Sequence, residues 1–287
     1  MSELVKRVLF SVVAAPLAIA IVWFGDAPLA TLLAVAAAVG AWELYRIARA
    51  GSVAPLDGAG IALAALVPLA VHAHYRRVFT APPALWVVAA LAIVGASIWT
   101  RGVGGRPLAA AAVTIFGVLY TGATLAFGYA IRYHQYTIDR ASGAALLGLP
   151  MVLTWASDIG AYFVGRAVGR RKLIPSVSPG KTVEGSIGGL VATVLVCWLY
   201  VALVLRPYAQ LGLRARDVVL FGLLVSAAAQ VGDLAESLFK REAGVKDSSR
   251  ILPGHGGVLD RLDSMFFVMP LAYLLLSAML IPVPHGR

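Results

Sequence analysis

Nine apolar runs, separated by short polar loops, dominate the pattern of the chain. They fall near residues 8–24, 28–45, 59–75, 83–99, 108–131, 143–165, 184–205, 216–236 and 258–281. Each is close to the length that crosses a bilayer and is too uniformly apolar to leave a polar face. The pattern therefore predicts an all-α, polytopic integral membrane protein with about nine transmembrane helices. Pro16, Pro68 and Pro270 sit inside runs. Neighbouring helices in lipid can satisfy the backbone groups that a proline frees. Frequent Ala and Gly favour close helix packing.

Composition strengthens this reading. The 287 residues are 60% hydrophobic and 13% charged, with a mean hydropathy of +0.84. A soluble domain carries roughly twice that charge, about 25%. The formal charge of +10 would suggest nucleic acid in a soluble protein. Here the cations lie in loops, where topology and anionic headgroups account for them, so no nucleic-acid partner is expected. Sixteen Lys and Arg residues fall at the N-terminus and in the even-numbered loops, against eight on the other side. This asymmetry places the N-terminus and those loops in the cytoplasm, and nine spans then put the C-terminus outside. Cys197 is the single cysteine. It excludes an intrachain disulfide and a thiolate zinc cluster. Lys6 and Arg7 followed by an apolar stretch resemble a signal peptide. A second long run follows at once, so an uncleaved first span is expected.

The two halves differ. Residues 1–140 form Ala-rich spans without an acidic cluster and are expected to be a scaffold with dimer contacts. Glu43 and Arg46, at i and i+3, read as a local ion pair. His72 and His74 read as interfacial residues. Residues 141–287 are expected to be the catalytic domain, with its charged loops on the cytoplasmic side.

Three segments there carry chemistry. Asp158, in Thr154-Trp155-Ala156-Ser157-Asp158, lies inside the sixth run. A membrane carboxylate faces either a partner, such as a neighbouring Arg, or a watery cavity. The second segment holds a basic stretch from Arg166 to Lys172, then Ser178-Pro179-Gly180-Lys181-Thr182-Val183-Glu184. Pro and Gly break the chain there, and Lys181, Thr182 and Glu184 are expected to open a helix. A helix N-terminus beside a lysine and hydroxyls suits a phosphate. This is not a Walker A loop, because its first Gly and its spacing are missing.

The third segment runs from Gly232 to Ser264. Asp233, Glu236 and Ser237 share one helical face, and Asp260, Asp263 and Ser264 share another if a helix begins near Gly257. Facing carboxylate pairs would repel unless cations lie between them, and oxygen-only ligands suit magnesium better than zinc. Lys240, Arg241, Lys246, Arg250 and Arg261 supply charge fit for phosphates. Gly254, Gly256 and Gly257 let backbone amides approach an anion.

At these residues the chain resembles the phosphatidate cytidylyltransferases, or CDP-diacylglycerol synthases. The resemblance rests on Ser237, Phe239, Lys240, Arg241, Lys246, Asp247, Pro253, His255, Gly256, Gly257, Asp260, Arg261 and Asp263, with no departure from the family signature. Trp155, Asp158, Ala161-Tyr162 and Ser178 to Thr182 agree with it. It is strong over about 150–285 and rests only on hydropathy before 140. The family implies that CTP and phosphatidic acid give CDP-diacylglycerol and pyrophosphate, with Mg2+ required (a second cation conceivable), by a homodimer in the cell's inner membrane.

Combining the resemblance with the residues gives a set of expected roles. Asp233, Asp260, Asp263, Glu236 and Asp158 would hold metal. Lys240, Arg241, Lys246 and Arg261 would offset transition-state charge, and His255 would donate to a phosphate. Ser178, Lys181, Thr182, Ser237, Arg250, Gly256 and Gly257 would bind substrate. The rivals are a related CTP-dependent lipid-phosphate enzyme, and a secondary transporter or channel in which Asp158 binds a coupling ion.

Overall fold

A computed structural model describes residues 3–252 and 256–283. Its long helices are α1 Glu3–Phe24, α2 Asp26–Ala50, α3 Asp57–Tyr75, α4 Pro83–Arg101, α5 Pro107–Arg132, α6 Arg140–Val168, α7 Val183–Ala209, α8 Ala215–Glu242 and α9 Leu259–Met279. Each coincides with one predicted run. Helices α2 to α9 are long and apolar enough to cross a membrane, and α1 contributes the shorter apolar stretch Val12–Phe24. The chain is an all-helical, polytopic membrane protein. Among the described residues the strands form two small antiparallel pairs: β1 Lys172–Ile174 with β2 Ser178–Thr182, and β3 Leu211–Gly212 with β4 Ile281–Pro282. Large apolar side chains such as Trp99, Leu108 and Leu203 are exposed. That distribution suits a protein whose solvent is hydrocarbon.

The chain forms two compact units. The first is Met1–Tyr129 with Phe239–Leu262, and the second is Ala130–Leu238 with Asp263–Arg287. The boundary runs through α5, α8 and α9.

In the first unit, α2, α3 and α5 pack around Tyr45, which is fully buried. Its hydroxyl donates to the Thr114 carbonyl at 2.7 Å. The Thr114 hydroxyl donates to the Ala110 carbonyl at 2.7 Å and accepts the Leu56 amide at 2.8 Å. One threonine thus satisfies its own hydroxyl within the helix and holds the entry to α3. Helices α3 and α5 touch backbone to backbone at Gly122, where a Cβ would lie 2.6 Å from the Ala64 carbonyl oxygen and 2.9 Å from its Cα. Gly122 sits in a π-helical segment of α5, Val118–Ala123. Arg101 reaches the loop between α2 and α3, donating through Nε to the Ala54 carbonyl at 2.8 Å.

In the second unit, α6 and α7 pack through small residues. A Cβ on Gly160 would meet Gly188, and one on Gly189 would lie 2.9 Å from the Ser157 carbonyl oxygen. Close approach of this kind replaces the hydrophobic drive that lipid removes. The Ser157 and Ser226 hydroxyls meet at 2.8 Å, both buried. Helix α6 opens with a capping box: the Asp139 carboxylate accepts the Ser142 amide at 2.7 Å, and the Ser142 hydroxyl accepts the Asp139 amide at 3.0 Å.

Two predictions follow from these contacts. Gly122→Val should lower the unfolding midpoint in detergent, by the equivalent of about 1–3 kcal/mol of overpacking, because the opposing atoms are backbone and cannot turn aside. The Ser142 backbone amide holds the Asp139 carboxyl below its ordinary value of 3.8. A lowered folded-state pKa gives stability that is present above the unfolded value and is lost as pH falls through the folded one. Losing this N-cap in Asp139→Ala should cost about 1 kcal/mol at neutral pH. Thermal melts of the variant and the parent should converge in acid.

Candidate active site

The second unit holds a polar cavity of about 530 Å³. Helix α6 supplies Asp158, Tyr162 and Arg166, the β1–β2 hairpin supplies Lys181, and α8 supplies Gln230 and Asp233. The hairpin revises the expected local structure. Ser178–Thr182 is a strand, and Thr182 is the N-cap of α7, its hydroxyl accepting the Gly185 amide at 3.1 Å. Lys181 and Thr182 therefore precede the helix instead of opening it. The Glu184 carboxylate accepts the Arg170 amide at 3.0 Å and the Arg171 amide at 3.2 Å, which ties the basic stretch to the start of α7.

Within the cavity, Lys181 Nζ lies 2.7 Å from Asp233 Oδ2. The Ser237 hydroxyl approaches Asp233 Oδ1 at 3.4 Å. Asp158 is open to the cavity, within electrostatic reach of both Asp233 and Lys181. Gln230 is locked one turn before Asp233. Its Nε2 donates to the Ser186 carbonyl at 3.1 Å and to the Ser226 hydroxyl at 3.2 Å, and its Oε1 accepts from the Ser186 hydroxyl. Two carboxylates, an ammonium and a fixed amide thus face one cavity bounded by α6, the hairpin, the start of α7 and α8.

The first unit holds a second charged cluster. Lys240 Nζ lies 2.7 Å from Asp260 Oδ1, with 12% and 9% of the two side chains exposed. Asp260 Oδ2 also accepts the Ser248 hydroxyl at 2.8 Å, the Ser248 amide at 3.1 Å and the Gly257 amide at 2.8 Å. Asp260 is thus committed to protein donors. The loop closes through an isolated bridge in which the Leu252 amide donates to the Gly256 carbonyl at 2.9 Å. Gly256 holds φ at +80°, which favours glycine. Arg241, Lys246, Arg250 and Arg261 are exposed around this segment. His255 and Gly254 lie outside the described residues.

Behind Asp260 lies Glu43, fully buried on α2. Its carboxylate accepts the Val258 amide at 3.1 Å, the Leu259 amide at 2.5 Å and the Ser249 hydroxyl. The expected local pair with Arg46 is replaced by partners more than two hundred residues away, while Arg46 stacks over the Trp42 ring at 4.9 Å. A Cβ on Gly257 would collide with both Glu43 and Ser248. An acidic residue inside an apolar run was the available signal for Glu43. Gln230 carried a similar but weaker one.

Among the described residues, no group of three or more His, Cys, Asp or Glu side chains is placed to hold a metal ion. Asp158 and Asp233 share the cavity of the second unit. Glu236 is buried, and Asp263 Oδ1 accepts its neighbour's Ser264 amide at 2.6 Å. Magnesium at phosphate sites takes one or two carboxylates and leaves the rest of its shell to water and substrate oxygens. Asp158 and Asp233, all-oxygen donors open to a polar cavity, fit that requirement. Asp260, filled by four protein contacts, fits it poorly.

The sequence model of the cytidylyltransferase family matches residues 5–279. The chain belongs to the cytidylyltransferase family. It is similar to proteins named phosphatidate cytidylyltransferase. The Haemophilus influenzae protein is 45% identical over 141 residues, 49% of this chain and 48% of that protein. The Bacillus subtilis protein is 50% identical over 126 residues, 44% of this chain and 45% of that one. The Staphylococcus haemolyticus protein is 42% identical over 169 residues, 59% and 60% of the two chains. The chain thus matches about half to three-fifths of the length of these curated relatives.

The Lys240–Asp260 pair is nearly buried, so removing one partner should cost more than removing both charges. Lys240→Met should lower stability by roughly 3 kcal/mol, and adding Asp260→Asn should restore part of the loss. Unfolding midpoints of the two single variants and the double variant measure this coupling.

Proposed function

We propose that this protein transfers the cytidylyl group of CTP to phosphatidic acid, giving CDP-diacylglycerol and pyrophosphate. The observation that carries the reading is the cavity in which Asp158, Asp233 and Lys181 meet within a chain of the cytidylyltransferase family. The names of its relatives support the choice of lipid. A membrane-spanning scaffold suits a substrate that never leaves the bilayer. The basic loops support a cytoplasmic placement of the site, where CTP is found.

The chemistry requires little proton transfer. A phosphatidate oxygen is already ionised and attacks the α-phosphorus. The new P–O bond forms as the α–β bridging P–O bond breaks, and its electron pair leaves with pyrophosphate. The barrier is repulsion between two anions, so positioning and electrostatic stabilisation should provide most of the rate. In this reading Asp158 and Asp233 would hold a magnesium ion, whose charge would offset that of the phosphates. Lys181 approaches the same phosphates, moving from Asp233 to a substrate oxygen as the nucleotide arrives. Lys240 and Arg241 at the end of α8, Lys246 in the loop after it and Arg261 in the first turn of α9 would add positive potential. Asp260 is the anion that organises Lys240, Ser248 and Gly257, and is assigned no metal here.

The purified protein, in mixed micelles with phosphatidic acid, should convert CTP only when magnesium is present. Asp233→Asn and Asp158→Asn should each lower kcat about 100-fold or more. Product analysis that shows CDP-diacylglycerol and pyrophosphate supports the reading. Well-folded protein that turns over no CTP with any lipid phosphate overturns it. Turnover that survives in both variants moves the metal elsewhere.

A further inference from the structure

We infer that Glu43, a residue of the N-terminal helices, is a positioning residue for the start of α9 and for Ser248–Ser249, and through them for Asp260 and its partner Lys240. The inference rests on the cytidylyltransfer reading above and adds a residue to it.

Three observations within the first unit converge. Glu43 is fully buried, where an ionised carboxylate is costly unless its oxygens are filled. Its oxygens are filled by the amides of Val258, just before α9, and Leu259, its first residue, and by the Ser249 hydroxyl. The start of a helix carries unsatisfied amides and partial positive charge, so a carboxylate there fixes both the direction and the first turn of the helix. Asp260 is the next residue of that turn, and it takes Ser248, Gly257 and Lys240 as partners. Ser248 and Ser249 are adjacent, so one dipeptide is held on one side by Glu43 and on the other by Asp260. Gly257 lies between the two carboxylates, where a Cβ would strike Glu43 and Ser248. Glu43 itself lies behind Asp260, buried from solvent. It therefore acts through Asp260 and the loop, without touching substrate.

The test uses full-length protein in micelles with phosphatidic acid. Glu43→Gln keeps the shape and removes the charge, and Ser249→Ala removes one donor. Three readouts are taken: the unfolding midpoint, kcat and KM for CTP, and amide exchange of the peptide spanning residues 250–262. Exchange at Val258 and Leu259 should quicken in Glu43→Gln. Its kcat per folded molecule should fall about 10- to 100-fold, with KM for CTP nearly unchanged, the effect that small displacements of charged groups have. Ser249→Ala should move kcat the same way by less, and the double variant should lose no more than Glu43→Gln alone, as coupled partners do.

Unchanged exchange, or an unchanged kcat in folded Glu43→Gln, overturns the inference. If Glu43→Gln fails to fold, Ser249→Ala decides: a parent-like kcat overturns the inference, and a lowered kcat at an unchanged midpoint supports it. A parent protein without CTP turnover overturns the functional reading itself, and the catalytic role of Glu43 falls with it. A loss of kcat in an active parent's variant separates the two cases.

Discussion

A polar group placed among hydrocarbon must find its partner inside the protein, and this requirement organises the molecule. Tyr45 and Thr114 meet it in the first unit. Ser157, Ser226 and Gln230 meet it in the second. Glu43 meets it by taking the amides of Val258 and Leu259 at the start of α9. In water each of these contacts would compete with solvent and contribute modestly. Among apolar helices the alternative is an unsatisfied group, so each contact also specifies which segments lie together. The charged residues that serve chemistry are placed by the same rule. Asp260 is held by four protein contacts and Asp233 by an ammonium.

The hydropathy pattern made the helices legible, because length and uniform apolarity are properties of each segment alone. All nine predicted runs coincide with helices, and their boundaries moved only by a few residues. The charged loop after α8 was legible as a functional segment for a different reason: the spacing of Lys240, Lys246, Gly256, Gly257 and Asp260 is dense enough to resemble one family. Partners remote in sequence were not legible. Nothing local to Glu43 points to Ser249 or Leu259, and the nearby Arg46 offered a plausible ion pair. The strand at Ser178–Thr182 was also missed. Pro179 and Gly180 signal a chain break, and pairing with Lys172–Ile174 depends on a partner that residue spacing does not reveal. The five carboxylates read together as metal ligands are divided by their partners: Asp158 and Asp233 face a cavity, whereas Asp260 is occupied.

The first 129 residues are more than supporting helices. The compact unit they form takes in Phe239–Leu262, the segment with most of the charged motif. Helix α2 sends a carboxylate into that segment, and Phe239 packs edge-on against Phe116 and Tyr120 of α5. The motif residues lie outside these early helices, which the family model covers from residue 5. Their faces are nevertheless constrained wherever they meet the loop.

The π-helical segment of α5 has a consequence for comparing related chains. One residue turns an α-helix by about 100°. A π segment accommodates a residue more than the regular spiral would, and so resets the faces that follow it. Val118–Ala123 thereby fixes which side of α5 carries Tyr129, whose hydroxyl meets His72 Nδ1 at 2.7 Å. A relative lacking one residue there would run as a regular helix and keep the same face at its end, whereas one lacking a residue elsewhere in the run would present that end rotated by about a quarter-turn. An alignment that places its gap elsewhere in the run would score almost as well and would pair the wrong side chains. In apolar helices of low complexity, structural equivalence should be anchored at such irregular turns before residues are compared.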